Sequence, residues 1–232
     1  ITPHLWNVVA KKETTFSDSS LSENGSIVLN AVFSHDGTKI LTTSSDSTVR
    51  ILDLEGKQLV SLKHSDNVTD AVFSPNDSLV LTAGKDKSAY LWNIETKSRV
   101  GTARKHAGPM YRCAFSEDGK QILTAGWDKT IRLWDLQTMP IENKNITFKQ
   151  QGFITTAIFS EDGARILTAG YDSTARIWDV AAREQIALVK HNAKINSAVF
   201  SNDGIKILTA SDYSTVRTWE AATGRQIIFL KL

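Results

Sequence analysis

The chain has 232 residues, of which 41% are hydrophobic, and a formal net charge of +2 at pH 7. This length and composition allow a sizeable buried core in one or two domains. The near-neutral charge and the scattered Lys and Arg residues argue against a nucleic-acid interface, which needs a concentrated basic face. No apolar run reaches the length of a membrane span, so we expect no membrane partner.

The first predicted elements form an incomplete unit. Residues 1–7 (ITPHLWN) match the third strand of the repeats that follow, and residues 11–16 supply a predicted fourth strand. The first two strands of this unit are absent from the sequence. We expect the chain to be a fragment of a larger ring of repeats. Two alternatives stay open: another polypeptide completes the half unit, or the ring closes around a deformed unit.

One 23-residue phrase then recurs five times without an internal insertion or deletion. A period near 40 residues is typical of radial or solenoid repeats, in which each unit buries its faces against copies of itself. The copies are AVFSHDGTKILTTSSDSTVRILD from Ala31, AVFSPNDSLVLTAGKDKSAYLWN from Ala71, CAFSEDGKQILTAGWDKTIRLWD from Cys113, AIFSEDGARILTAGYDSTARIWD from Ala157 and AVFSNDGIKILTASDYSTVRTWE from Ala198.

Each repeat predicts a four-stranded antiparallel meander. In the third copy, a short apolar strand ends at residues 114–116 and is followed by a Glu-Asp-Gly turn. Residues 121–126 form a second strand that is apolar enough to be buried on both faces. The Asp128-Lys129 turn leads to an alternating third strand at 130–135, and residues 141–148 supply a weaker fourth strand. Cys113, the single cysteine, lies in the apolar first strand and favours a reducing, cytoplasmic setting.

The third strands carry the resemblance to a known family. The chain resembles the WD-repeat β-propellers, and the phrase ILTAGxDxTxRxWD looks most like bacterial-type arrays. The resemblance implies an all-β propeller of four-stranded antiparallel blades, with five complete blades plus a half blade at the N-terminus, from a six- or seven-bladed ring. The third strands end in Leu91-Trp92-Asn93, Leu133-Trp134-Asp135, Ile177-Trp178-Asp179 and Thr218-Trp219-Glu220. The expected bounds are 1–17 for the half blade and 26–63, 67–103, 109–149, 153–190 and 194–232 for the full blades.

His, Thr and Asp residues recur together in a combination that resembles a catalytic relay. The family resemblance implies a structural tetrad instead, in which indole, hydroxyl, imidazole and carboxylate form one buried hydrogen-bonded chain. One enzyme does not need the same triad in successive blades. We therefore expect these residues to stabilise the fold and not to catalyse a reaction. The two complete sets are His64, Thr82, Asp86 and Trp92, and His106, Thr124, Asp128 and Trp134.

The tetrad is incomplete in the other repeats. Leu52 replaces the tryptophan and Asn24 the histidine in the first copy, and Gln150 replaces the histidine in the fourth. In the fifth, we expect Tyr213 at the aspartate position, with Asp212 one place earlier, and Leu208 at the hydroxyl position. The second and third repeats are therefore expected to be the most rigid, and the first and fifth the loosest.

The face that bears the second-to-third-strand turns usually binds partners in WD-repeat proteins. Aromatic residues map to this face in the third and fourth repeats only, and clustered aromatic side chains are typical of interface hot spots. The alternative is that some of them pack against the His106 loop. The predicted partner-binding residues are Pro109, Tyr111, Trp127, Phe153 and Tyr171, with Lys85 and Lys194 at equivalent positions of the second and fifth repeats.

The sequence therefore predicts a non-catalytic scaffold that binds a protein or peptide on this top face, as the sensor or recruitment part of a larger signalling protein. We expect no catalytic residue, no metal and no cofactor, because the five histidines are dispersed and no Gly-rich phosphate loop is present. One alternative is self-association through the half blade or an open blade edge. An enzyme that uses the central channel is disfavoured because the inner strands are apolar.

Overall fold

The computed structural model describes residues 4–7, 12–15, 27–137 and 145–231. These residues form strands and turns, and no helix occurs among them, which confirms the predicted all-β fold. Within the same ranges, no helix is long and apolar enough to cross a membrane. The chain divides into two compact units, Ile1–Lys105 and His106–Leu232.

The first unit contains a two-stranded sheet and two larger sheets, which we call the first and second blades. The two-stranded sheet pairs β1 (His4–Asn7) with β2 (Lys12–Thr15). The first blade consists of β3 (Val28–Phe33), β4 (Lys39–Ser44), β5 (Thr48–Asp53) and β6 (Gln58–Lys63), in that order. The second blade consists of β7 (Val68–Phe73), β8 (Leu79–Gly84) and β9 (Ser88–Asn93), with an outer strand broken into β10 (Ser98–Arg99) and β11 (Arg104–Lys105).

The second unit contains the third, fourth and fifth blades, and each is a four-stranded antiparallel meander. The third consists of β12 (Met110–Phe115), β13 (Gln121–Gly126), β14 (Thr130–Asp135) and β15 (Asn145–Lys149). The fourth consists of β16 (Ile154–Phe159), β17 (Arg165–Gly170), β18 (Thr174–Asp179) and β19 (Glu184–Lys190). The fifth consists of β20 (Ile195–Phe200), β21 (Lys206–Ser211), β22 (Thr215–Glu220) and β23 (Gln226–Lys231). The fourth strand predicted at 141–148 is described only from Asn145, since residues 138–144 lie outside the described ranges.

Every full blade carries a β-bulge at the same place in its first strand. The pairing register shifts between Met110 and Arg112 in β12, and between Ile154 and Thr156 in β16. Equivalent shifts occur in β3, β7 and β20. A bulge leaves one residue unpaired and redirects its side chain. In the third blade that residue is Tyr111.

Blades within a unit pack through one repeated set of apolar positions. In the first unit, Leu41, Val49 and Ile51 of the first blade pack with Ala71 and Phe73 of the second. In the second unit, the same positions of the third and fourth blades contribute to two further clusters. Burial of this apolar surface is the main favourable contribution to folding.

The fifth blade presents the same apolar positions to solvent. Leu208 is 44% exposed, whereas its equivalents Leu41 and Leu123 are 1% and 0% exposed. Ile228 and Leu230 on the outer strand β23 are 48% and 54% exposed. The described residues of the second unit therefore leave one blade face uncovered.

Equivalent leucines in two blades allow a matched test of this packing. Leu123→Ala should cost about 3–5 kcal/mol of unfolding free energy, because it opens a cavity in a buried cluster. Leu208→Ala, the same change on the uncovered face, should cost less than about 1 kcal/mol. Urea unfolding followed by tryptophan fluorescence measures both losses. Equal losses would contradict the assignment of the uncovered face.

Candidate functional site

Four side chains of the third blade form one buried hydrogen-bonded chain. Trp134 Nε1 donates to Thr124 Oγ1 at 2.9 Å, and Thr124 Oγ1 lies 2.8 Å from His106 Nε2. His106 Nδ1 lies 3.0 Å from the carboxylate of Asp128. The chain links the third strand, the second strand, the loop before the first strand and the tight turn.

The second blade repeats this arrangement. Trp92 Nε1 donates to Thr82 Oγ1 at 2.9 Å, Thr82 Oγ1 lies 2.7 Å from His64 Nε2, and His64 Nδ1 lies 3.1 Å from Asp86 Oδ2. Both threonines are fully buried. A buried hydroxyl already bonded to an indole and an imidazole is not accessible to a substrate, so the geometry favours a structural role.

The turn carboxylate of the third blade is held ionised. Burial by itself raises the pKa of Asp128, but hydrogen bonds from His106 and Thr130 and the attraction of the imidazole outweigh it. The pKa of Asp128 therefore lies well below its usual range. The Ala107 N–H adds a further hydrogen bond at 3.1 Å, which holds the loop before the first strand against the turn.

The fourth blade keeps the indole and loses the central link. Trp178 Nε1 donates to Thr168 Oγ1 at 2.9 Å, as in the other blades. Gln150 Nε2 donates to Asp172 Oδ1 at 3.0 Å and does not bridge to Thr168. Its Oε1 is buried and has no hydrogen-bond partner among the described residues. An unsatisfied buried acceptor is unfavourable, so glutamine is a poor substitute here.

The prediction for Leu208 was wrong, because Thr209 supplies the hydroxyl of the fifth blade. Trp219 Nε1 donates to Thr209 Oγ1 at 2.8 Å, and Thr209 Oγ1 lies 2.6 Å from His191 Nε2. The pairing of Ile207 with Trp219 fixes the register of β21 against β22. Thr209 therefore lies ten residues before the tryptophan, as the corresponding threonine does in the other blades that have this tryptophan. Leu208 is one residue away along the strand and therefore points to the opposite face.

Hydroxyl groups replace the turn carboxylate in the fifth blade. Ser211 Oγ lies 2.7 Å from His191 Nδ1, and Thr215 Oγ1 lies 3.2 Å from the same nitrogen. Tyr213, at the aspartate position, is 79% exposed and makes no such contact. Burial, together with repulsion from Arg217, lowers the pKa of His191 to about 4. His191 therefore stays neutral at pH 7.

Four aromatic side chains of the second unit form a continuous stack, which we call the aromatic ladder: Tyr111, Trp127, Phe153 and Tyr171. Tyr111 and Trp127 are stacked with ring centroids 5.3 Å apart. Trp127 and Phe153 are stacked at 4.8 Å, and Phe153 meets Tyr171 edge-on at 5.8 Å. Lys194 Nζ lies 4.9 Å from the Tyr171 centroid, which is a cation–π contact at one end of the ladder.

The ladder lies where the tight turns meet the loops before the first strands. The Trp127 N–H donates to the Pro109 carbonyl and the Tyr171 N–H to the Phe153 carbonyl, both at 2.9 Å. Trp127 and Tyr171 are 43% and 51% exposed, whereas Tyr111, Phe153 and Pro109 are half-buried. We call this end of the second-unit sheets the ladder end.

Six of the seven predicted partner-binding residues lie together at the ladder end. Lys85, the seventh, belongs to the first unit, where its N–H donates to the Asn67 carbonyl at 2.8 Å. The stacking itself was not predicted from the sequence, because it depends on the bulge that redirects Tyr111. The Lys194–Tyr171 contact was likewise not foreseen.

The comparison with protein families agrees with this geometry. A model described as "WD domain, G-beta repeat" matches residues 15–53, 56–93, 97–135, 143–179 and 183–220. The chain belongs to the WD40 repeat family. No curated protein matches the chain. WD40 repeats generally mediate protein–protein interaction scaffolding, and WD40 proteins are typically non-enzymatic.

A cleft of about 590 Å³ lies at the opposite end of these WD40 blades, between the third and fourth. Its carboxyl groups are Glu117, Asp118, Glu161, Asp162 and Asp179. Hydrogen bonds from the Lys120 N–H and the Ser116 hydroxyl lower the pKa of Asp118. The Ser160 hydroxyl and the Ala164 N–H do the same for Asp162. These shifts are opposite to the raised pKa that a general acid needs at neutral pH.

The third and fourth WD40 blades allow a reciprocal exchange at one position. His106→Gln should reduce the unfolding free energy by about 1–3 kcal/mol, because it leaves buried partners unsatisfied. Gln150→His should increase the unfolding free energy by about 1 kcal/mol, because the other three members of the tetrad, Thr168, Asp172 and Trp178, are already present in the fourth blade. Urea unfolding of the two variants measures both effects. Destabilisation by Gln150→His would contradict the tetrad assignment.

The buried histidine of the fifth blade predicts a pH dependence. His191 has a pKa of about 4 in the folded chain and an ordinary value of 6.5. The unfolded chain therefore binds a proton below pH 6.5 that the folded chain binds only near pH 4. Stability from this group is fully present above pH 6.5 and falls as the pH decreases towards 4.

The measurement is the urea midpoint at several pH values between 7.5 and 4. His191→Gln is the control, because it removes the titrating group and should give a flatter pH profile over that range. Parallel pH profiles for the unmodified chain and His191→Gln would show that the histidine does not cause the loss of stability at low pH.

Proposed function

We propose that this WD40 chain is a non-catalytic scaffold that binds a protein or peptide at the ladder end of its second unit. The observation that carries the proposal is the aromatic ladder, whose rings stack on one another while Trp127 and Tyr171 stay about half exposed. Exposed aromatic clusters are typical of interface hot spots.

Stacking makes these rings suitable anchors. A ring fixed by its neighbours has little rotational freedom left to lose when a partner binds, so the cost of ordering it is reduced. The turns beneath the rings are held by the Pro109 and Phe153 carbonyls and, in the third blade, by the complete tetrad. The surface is therefore preorganised.

The buried position of the tetrads supports the absence of catalysis. The hydroxyl and imidazole groups that resemble a relay are inside the blades, and the same set occurs in two of them. The carboxylates Asp118 and Asp162 of the acidic cleft have lowered pKa values. Neither place combines an accessible nucleophile with a general base.

We further propose that the chain is the sensor or recruitment part of a larger cytoplasmic signalling protein. The scaffolding role that is general among WD40 repeats and the likeness of the repeat phrase to bacterial-type arrays support this step. Affinity purification of the full-length parent protein, followed by identification of the bound proteins, tests it. Recovery of no signalling component would argue against it.

A second candidate function is self-association through the uncovered face of the fifth blade. The exposed Leu208, Ile228 and Leu230 favour it, because their equivalents form buried contacts between blades elsewhere in the chain. Light scattering coupled to size-exclusion chromatography tests it. A monomer that persists at high protein concentration would exclude this function.

The double variant Trp127→Ala/Tyr171→Ala tests the leading proposal. Selection of random 12-residue peptides on the immobilised chain should yield binders whose affinity falls roughly thirtyfold or more in the variant, since an anchor ring contributes about 2 kcal/mol. The melting temperature should be nearly unchanged, because both rings are partly exposed.

Tyr213→Ala is the matched control, since Tyr213 is a more exposed turn residue outside the ladder. It should leave peptide affinity intact. A large loss of melting temperature in the double variant would favour the alternative that the ladder is ordinary packing.

A further inference from the structure

Exposed lysines lie at the ladder end of the second-unit sheets. Lys129 lies in the tight turn of the third blade, two residues after Trp127. Lys149 and Lys190 pair with Thr130 and Thr174, the first residues of the third strands, and so lie at the same end of their blades. All three are exposed, and Lys194 contacts Tyr171.

The carboxylates at the ladder end offset little of this positive charge. The Asp128 side chain is 7% exposed and faces His106 and Arg132, and that of Asp172 is 10% exposed and accepts from Arg176 at 2.9 Å. The side chain of Asp212, in the turn of the fifth blade, is 43% exposed and lies 3.7 Å from Lys194 Nζ. The surface therefore presents excess positive charge.

The ladder also presents hydrogen-bond donors. No described residue accepts a hydrogen bond from Trp127 Nε1, Tyr111 Oη or Tyr171 Oη. Trp127 already stacks on two other rings, which reduces the ring-face area that it can offer to a ligand. Aromatic edges carry partial positive charge. Donors, ring edges and ammonium groups all favour a ligand rich in acceptor oxygens.

We propose that the ligand of the ladder is an acidic peptide, a segment rich in Asp and Glu with an apolar residue that contacts the rings. This inference rests on the proposed function. Its carboxylates would lie against Lys129, Lys149 and Lys190. The acidic cleft at the opposite end of the same blades repels such a peptide, so association is steered to the ladder end.

A single-stranded nucleic acid is a less suitable ligand for this surface. Binding of that kind uses ring faces on which successive bases stack, along a continuous basic groove. Here the faces of Trp127 are engaged by Tyr111 and Phe153, and the lysines lie on separate turns, loops and outer strands.

The test compares two matched pairs of charge removals. Peptides selected from the random library should be enriched in Asp and Glu, and their affinity should fall as salt increases. Lys129→Gln/Lys149→Gln should lower that affinity roughly two- to fivefold per lysine. Lys120→Gln/Lys206→Gln, which removes two exposed lysines at the opposite end, should not lower it.

Three results would overturn the inference, and they are distinguishable from one another. Neutral or basic peptides whose binding still requires Trp127 and Tyr171 would disprove the acidic ligand and leave the proposed function standing. Failure to select any ladder-dependent peptide would disprove both. Tighter, ladder-dependent binding of a 20-residue oligothymidylate would assign the surface to nucleic acid instead.

Discussion

The hydrogen-bonded chain from tryptophan to aspartate is the constraint on which the third blade and its half of the aromatic ladder depend. In the third blade it joins β14 to β13, then to the loop that carries His106, then to the turn that carries Asp128. That loop continues to Pro109 and Tyr111, and that turn begins with Trp127. Tyr111 and Trp127 are therefore the exposed continuation of two segments that this tetrad holds together. A change in the buried chain would move these two rings.

The other blades show that the turn position is the constraint, and that the side chains that secure it can vary. Gln150 bonds directly to Asp172 in the fourth blade, and Ser211 and Thr215 replace the carboxylate in the fifth. The first blade has Leu52 in place of tryptophan, and its turn carboxylate pairs with Arg50 at 2.9 Å. The residue at the end of the second strand, directly before the turn, also differs with the group that bonds to the histidine. A Cβ at Gly84 would lie 2.8 Å from His64 Nδ1, whereas the Ser211 hydroxyl is itself the partner of His191.

The fold and the grouping of the aromatic residues could be predicted from the sequence because the repeat has a fixed length between its phenylalanine and its third strand. Local spacing of this kind determines pairing register and turn position. The details that could not be predicted depend on interactions across strands. The bulge beside Tyr111 has no residue signature in the repeat, and the break between β10 and β11 falls in the variable outer strand. The irregular turn at Tyr213 suggests a one-residue shift of the fifth-blade hydroxyl, but Thr209 keeps the ten-residue spacing to Trp219 that the other blades with a tryptophan have.

The repeat places a buried structural residue and an exposed, variable residue within a few positions of each other. Trp134 is 2% exposed and completes the tetrad of its blade, whereas Trp127, seven residues earlier, is 43% exposed and takes no part in it. The equivalent of Trp127 is Lys85 in the second blade, Tyr171 in the fourth and Asp212 in the fifth, while the buried positions change far less. Substitution at the exposed position alters charge and shape without disturbing the hydrogen-bonded interior. Because the buried positions are kept while the rim positions differ between blades, the same unit presents aromatic side chains and lysines at one end and the acidic cleft at the other.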